Sequence, residues 1–247
     1  RGEYLVVATT SVVRHESCKV VKSDLRLLAP ESGDALCRLT LQADETVHAI
    51  CSWKSFVVVG TAFEIQALHN SGFRCQRGRL LLLQLGFPEA GASTTARGNS
   101  LEDAHPGVSF EVSCGLNMGG AVLCVSAFGA SEYLLCSVNE LLLVFQRDGQ
   151  TLKEVTRLAT RQTIVSLSVH SNSIAVADRK DSLGIIAFDG ASQSLRLVWW
   201  DYKHRVLADC VLFDCFGVLG VDKYRNLLCL EPHSASGRSA VSEDNLG

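Results

Sequence analysis

The sequence predicts an all-β fold, a β-propeller of four-stranded blades, and three observations predict it. Apolar runs of strand length follow one another with turn residues between them, and helical periodicity is nearly absent. The runs group in fours, and the groups repeat: 42 residues separate Ala121 from Thr163 and 43 separate Thr163 from Val206. That spacing falls within the ~40–45 residues of a propeller blade. The middle runs of a group are apolar throughout, as Leu80–Leu83 and Leu141–Phe145 are, which suits strands covered on both faces.

Taken in order, Glu3–Ala8, Leu25–Ala29 and Ala35–Leu41 read as strands, with Glu31-Ser32-Gly33-Asp34 as a tight turn. The first full set is Val47–Trp53, Ser55–Ala62, Arg79–Leu85 and Val108–Ser113. Its span of 74 residues to Ala121 exceeds the repeat because two polar segments, 63–78 and 87–107, are inserted as loops. The next set is Ala121–Phe128, Tyr133–Val138, Leu141–Phe145 and Leu152–Leu158. Thr163–His170, Ser173–Ala177, Leu183–Phe188 and Leu195–Trp200 follow, and then Val206–Phe213, Gly217–Val221 and Leu227–Leu230. The expectation is a partial arc of about five blades over residues 1–233, its first and last blades incomplete, with 234–247 as a polar loop or disordered tail.

Composition bounds the function. The chain has 247 residues, 47% of them hydrophobic, so a large core is within reach, and its net charge of −3 argues against a polybasic protein. No apolar run approaches the ~20 residues that span a bilayer, and no signal-peptide pattern precedes the first strand, so a soluble piece of something longer is expected. Ten cysteines occur without a Cys-x-x-Cys pair, and Cys51, Cys124, Cys136, Cys210 and Cys229 sit in apolar runs. Free, buried, reduced thiols are expected, as in the cytosol or nucleus.

Signals for catalysis are weak. There is no nucleophile elbow, no phosphate-binding Gly-rich loop and no His-Glu-x-x-His, and His105 and His170 lack partners at metal-ligand spacing. No cofactor, metal or small-molecule substrate is expected. Asp178 and Asp222 each end a strand at a hairpin, where a carboxylate can accept turn amides, so both are read as structural turn residues. Trp199-Trp200-Asp201-Tyr202 could form a base-stacking platform, but adjacent strand residues point to opposite faces, which sends one Trp to the core and the other to a blade boundary.

Loop charge sorts by end of the sheet. Hairpins between second and third strands leave from the same end as the blade-to-blade links, and the remaining turns leave from the other. The first end collects Arg74, Arg77, Arg79, Arg161, Arg179, Lys180, Lys203, Arg205, Lys223 and Arg225 against fewer acids, including Glu45, Asp178, Asp201 and Asp222. The opposite end has Lys54, Arg97 and Arg147 against seven acids, Glu132, Asp148 and Asp189 among them. Arg74, Arg77, Arg79, Lys203 and Arg205 are therefore the candidates for contact with RNA, DNA or an acidic partner segment.

Val59-Gly60-Thr61-Ala62, then Gln76-Arg77-Gly78-Arg79-Leu80, Gly120-Ala121-Val122, Ser137-Val138-Asn139, Val176-Ala177-Asp178 and Gly220–Leu227 resemble, in this order, the C-terminal region of the CPSF A subunit family. That family includes the large subunits of the cleavage and polyadenylation specificity factor, of the UV-damaged-DNA-binding complex and of splicing factor 3b. The sequence departs from it where His204-Arg205-Val206 replaces Pro-Arg-Trp of the splicing relatives and where Arg225 replaces a frequent Gly; the family's following helical segment is not found. The resemblance implies a non-enzymatic nuclear scaffold of a pre-mRNA processing complex, in splicing or cleavage and polyadenylation, with protein subunits as partners and RNA or DNA contact. A DNA-damage-binding adaptor for a cullin-type ubiquitin ligase is the alternative it implies. A propeller enzyme is a third reading, which would need several carboxylates or histidines converging at the first strands, of which Val47–Trp53, Ala121–Phe128 and Val206–Phe213 offer only His48 and Asp209.

Overall fold

The computed structural model describes residues 4–15, 18–63, 77–87, 108–130, 132–180, 182–213 and 217–230. Arg74, His105, most of the two inserted loops and the tail at 234–247 lie outside them. The described residues form five antiparallel sheets and no helix. The first holds β1 (Leu5–His15), β2 (Cys18–Leu28) and β3 (Ala35–Thr40). The second holds β4 (Glu45–Trp53), β5 (Phe56–Phe63), β6 (Gly78–Gly86) and β7 (Ser109–Met118). The third holds β8 (Val122–Phe128), β9 (Tyr133–Val138), β10 (Leu141–Asp148) and β11 (Thr151–Ala159). The fourth holds β12 (Ile164–His170), β13 (Ser173–Asp178), β14 (Leu183–Asp189) and β15 (Ser194–Trp200), and the fifth holds β16 (Leu207–Leu212), β17 (Val218–Asp222) and β18 (Leu227–Leu230).

The sheets stack as blades of a propeller arc. β4 runs against β8, β8 against β12 and β12 against β16, so the first strands line one side of the stack. A separate apolar core fills each gap between successive sheets. Strand periodicity explains how one strand serves two cores: Leu134, Cys136 and Val138 of β9 face the second sheet, whereas Tyr133 and Leu135 face the fourth. All six residues of β9 are buried.

Register carries the repeat more sharply than composition does. One extra residue bulges from the first strand of four sheets, at His48, Leu123, Val165 and Ala208. A second bulge falls on the fourth strand of three sheets, at Ser113, Val155 and Val198. The β2–β3 pair has the same kind of bulge, at Leu36. By that mark β1, β2 and β3 occupy the second, third and fourth positions of a blade. Bulges add local twist, and the same twist recurring at the same place keeps the blades congruent.

Three readings need correction. The first hairpin is longer than its apolar pattern suggested: both strands have 11 residues, and Thr9–Ser11 pair with Lys22–Asp24. Thr10 and Ser23 share a hydroxyl hydrogen bond of 2.9 Å there, and Val12 and Val13 extend the ladder beyond the polar break. β7 continues to Met118 because Cys114, Leu116 and Met118 pack on the core despite the intervening Gly115 and Asn117. Cys229 is exposed rather than buried; it lies on the same outward sheet face as Val211, Val221 and Leu227. Trp200 joins a core, lying on Gly184 where any Cβ would clash, and Trp199 packs at the boundary with the fifth sheet.

Candidate nucleic-acid interface

The second-to-third hairpins and the inter-blade links are laced together at one end of the stack. Asn139, Arg179 and Lys223, each just past a second strand, donate their amides to the carbonyls of Ala121, Thr163 and Val206, each just before the first strand of the same blade. The His204 Nδ1–H donates to the Lys180 carbonyl at 2.9 Å, joining the 201–206 link to the 179–182 hairpin. These bonds tie the described parts of three hairpins to the links beside them.

Three carboxylates of this rim, Asp178, Asp201 and Asp222, are engaged by turn donors. Asp178 is fully buried, and its Oδ1 accepts the amides of Lys180 at 2.9 Å and Ser182 at 3.2 Å. Asp222 repeats the arrangement with the amides of Tyr224 at 2.8 Å and Asn226 at 2.9 Å. These bonds, with the Asn226 side-chain amide first among them, hold the Asp222 carboxyl below its usual value. Asp201 accepts the Lys203 amide at 3.0 Å, the Ser182 hydroxyl at 2.9 Å and Arg205 Nε at 3.0 Å. Burial pushes the Asp201 carboxyl up, but these three donors outweigh it and leave it below its ordinary value.

The cations are mostly turned outward. Arg161, Arg179, Lys180, Lys203, Lys223 and Arg225 are all exposed. Charge that looked nearly balanced along the chain is thus unevenly available on this rim: Asp178, Asp201 and Asp222 are bound into turns, and the six cations are presented to solvent. At the opposite end, Glu132, Asp148 and Asp189 are exposed, while Lys54 lies over the Trp53 ring and Arg147 over the Phe56 ring.

Of the five cations singled out from the sequence, the structure brings Lys203 and Arg205 onto this rim together, and Arg205 is committed to Asp201. Arg77 is exposed, and its carbonyl accepts the Phe63 amide at 3.0 Å. Arg79 has a different place. Its guanidinium grips the fully buried Glu45 in two bonds, Nε–Oε1 at 2.7 Å and Nη2–Oε2 at 2.5 Å. Thr61 Oγ1 donates to the same carboxylate at 2.6 Å and the Gln42 amide at 3.2 Å. Glu45 looked like one more solvated acid in the sequence; it is an interior anchor beneath the root of the 64–77 insert. Gly78, beside it, has no room for a Cβ, which would stand 2.4 Å from both the Thr61 and Gly120 carbonyls. Gly60 likewise meets Val122, so the Val59–Ala62 and Gln76–Leu80 motifs mark where this blade touches the next.

Two exposed aromatics also stand on the rim, Tyr202 from the run considered for base stacking and Tyr224, which the sequence did not single out, at 72% and 71% exposure. The available signal was local: each is an aromatic beside a lysine in a turn, Tyr202-Lys203 and Lys223-Tyr224. Arg225 is held at φ 71°, in the left-handed region that glycine adopts without cost. Replacing Arg225 by Gly should raise stability by about 1 kcal/mol and remove one rim cation. Urea denaturation of the two forms checks the first effect; an unchanged or lowered midpoint would show that the side chain offsets its strain through its neighbours.

Among the described residues, no group of three or more His, Cys, Asp or Glu is placed to hold a metal ion, and no helix is long and apolar enough to cross a membrane. Stacked antiparallel sheets of three and four strands define the class, a β-propeller. The family model for the CPSF A subunit region matches residues 4–242, and the chain belongs to the CPSF A subunit family, whose members are components of multi-subunit complexes. Among curated proteins, none matches the chain.

Proposed function

We propose that this chain is part of a non-enzymatic nuclear scaffold in a pre-mRNA processing assembly, of splicing or of cleavage and polyadenylation, and that its basic rim holds nucleic acid. The observation that carries the second half is unequal engagement: six exposed cations stand on a rim where Asp178, Asp201 and Asp222 are held by turn amides and Arg205. Phosphate oxygens can meet such a surface without expelling an internal partner, and they position a ligand without reading its sequence. Family membership supports the assembly role. The two polar groups offered at the first strands also have structural partners, His48 with the Thr46 hydroxyl at 2.9 Å and Asp209 with the Ser166 hydroxyl at 2.5 Å.

Reversing Arg161, Lys180, Lys203 and Arg225 to Glu in the full-length protein should weaken binding of RNA at least tenfold. It should also flatten the log–log salt dependence by about 3, at about 0.7 for each phosphate left without its cation. Lys54→Glu with Lys153→Glu, away from the rim, should leave both unchanged. Fluorescence anisotropy across a salt series measures this; equal losses from the two sets, or none from the first, would reject the rim.

A further inference from the structure

Tyr202 and Tyr224 are the two most exposed large hydrophobic side chains among the described residues. Rings on the outside of a protein with four apolar cores to fill call for a physical reason. Both stand on the basic rim, and their loops touch: the Lys223 amide donates to the Val206 carbonyl at 2.9 Å, joining the Tyr224 hairpin to the Tyr202 link. A cation lies over one face of each ring, with the Arg161 guanidinium carbon 5.7 Å from the Tyr202 centroid and Lys223 Nζ 4.9 Å from that of Tyr224. Arg161 comes from the neighbouring inter-blade link, so that contact spans two links. Both backbones are pre-set, the Tyr224 amide by Asp222 Oδ1 at 2.8 Å and the residue after Tyr202 by Asp201 Oδ1 at 3.0 Å.

A largely exposed ring with a cation over one face suits one ligand chemistry, an unpaired base stacked on the other face with its phosphate toward the cation. A duplex keeps its bases covered by their neighbours and offers the rings nothing. An acidic peptide would use the cations and leave the ring faces bare. We infer that Tyr202 and Tyr224 are stacking platforms for unpaired bases, and that the ligand of the rim is single-stranded nucleic acid. This rests on the reading of the rim as a nucleic-acid surface and adds the strandedness of the ligand and the residues that sense it.

The test uses the full-length protein and four probes: a labelled oligo-uridine strand of about 12 nucleotides, within the span of known single-strand sites, an abasic strand of the same length, an RNA duplex and polyglutamate. Tyr202→Ala and Tyr224→Ala should each weaken oligo-uridine binding about fivefold to a hundredfold, with the salt slope and the abasic affinity unchanged. Tyr202→Trp and Tyr224→Trp should keep the affinity, and their indole emission should be quenched by oligo-uridine and not by the abasic strand. Equal losses on base-bearing and abasic strands, no loss on either, duplex bound more tightly than the single strand, or polyglutamate binding that falls with the tyrosines would each overturn the stacking. Failure of the underlying rim looks different: the parent protein then binds no strand in a salt-dependent way, and charge reversal changes nothing.

Discussion

Raising the pH from 8 to 10 is expected to remove about 5 kcal/mol of folding stability through four thiols alone. Burial pushes Cys51 and Cys124 up from 9.0 to about 11 and Cys210 to about 12, and complete burial pushes Cys136 up as well. The sign follows from which form the folded state excludes. A thiol whose folded pKa is raised contributes stability that is fully present below its unfolded value near 9 and is lost as pH rises toward the folded value. In that window the unfolded chain releases protons that the folded chain keeps, at about 1.4 kcal/mol per thiol per pH unit once ionisation is under way. A loss of this size rivals the whole stability of an ordinary domain. Urea midpoints at pH 8, 9 and 10 under reducing conditions, for the parent and for a variant with Cys51, Cys124, Cys136 and Cys210 all changed to Ala, isolate the thiol contribution. Parallel pH dependences would place the thiols in contact with water.

Arg79→Ala should cost about 3–5 kcal/mol, the range for leaving one charge of a buried pair without its partner. Glu45 has no exposure to fall back on, and the Thr61 hydroxyl and the Gln42 amide cannot neutralise it. Changing both members together, Glu45→Met with Arg79→Met, should recover most of the loss, because the desolvation cost disappears with the charge. The double variant should also bind nucleic acid as the parent does, since the Arg79 guanidinium is spent inside the blade. A cost under about 1 kcal/mol for Arg79→Ala would make the pair an ordinary surface bridge. Loss of nucleic-acid binding by a stably folded double variant would return Arg79 to the interface.

How much of this was legible in the sequence depended on the range of the interactions. Ala121–Phe128 and Tyr133–Val138 were readable as strands because their apolar residues are contiguous and their turns are Gly- and Ser-bearing. The long first hairpin was not, since Thr9–Ser11 and Lys22–Asp24 are polar, and their pairing with each other is what makes them strand. The hairpin roles of Asp178 and Asp222 needed only neighbouring amides within four residues. The pairing of Arg79 was not legible because its partner stands 34 positions earlier, and nothing local marks Glu45 as buried.

The amino-acid sequence by itself determined the repeat, the strand order and the family, because these rest on periodicity and turn chemistry that act over a few residues. Tertiary structure decided which charges remain accessible. Lys203 and Arg205 are two residues apart in one link, yet one is exposed and the other is tied to Asp201. Glu45 and Arg79 became an anchor, and Arg161 came to rest beside Tyr202 from another link. A charged side chain takes its role from whether an opposite charge, an amide or water reaches it first, and that order is settled only when distant strands have been packed into neighbouring blades.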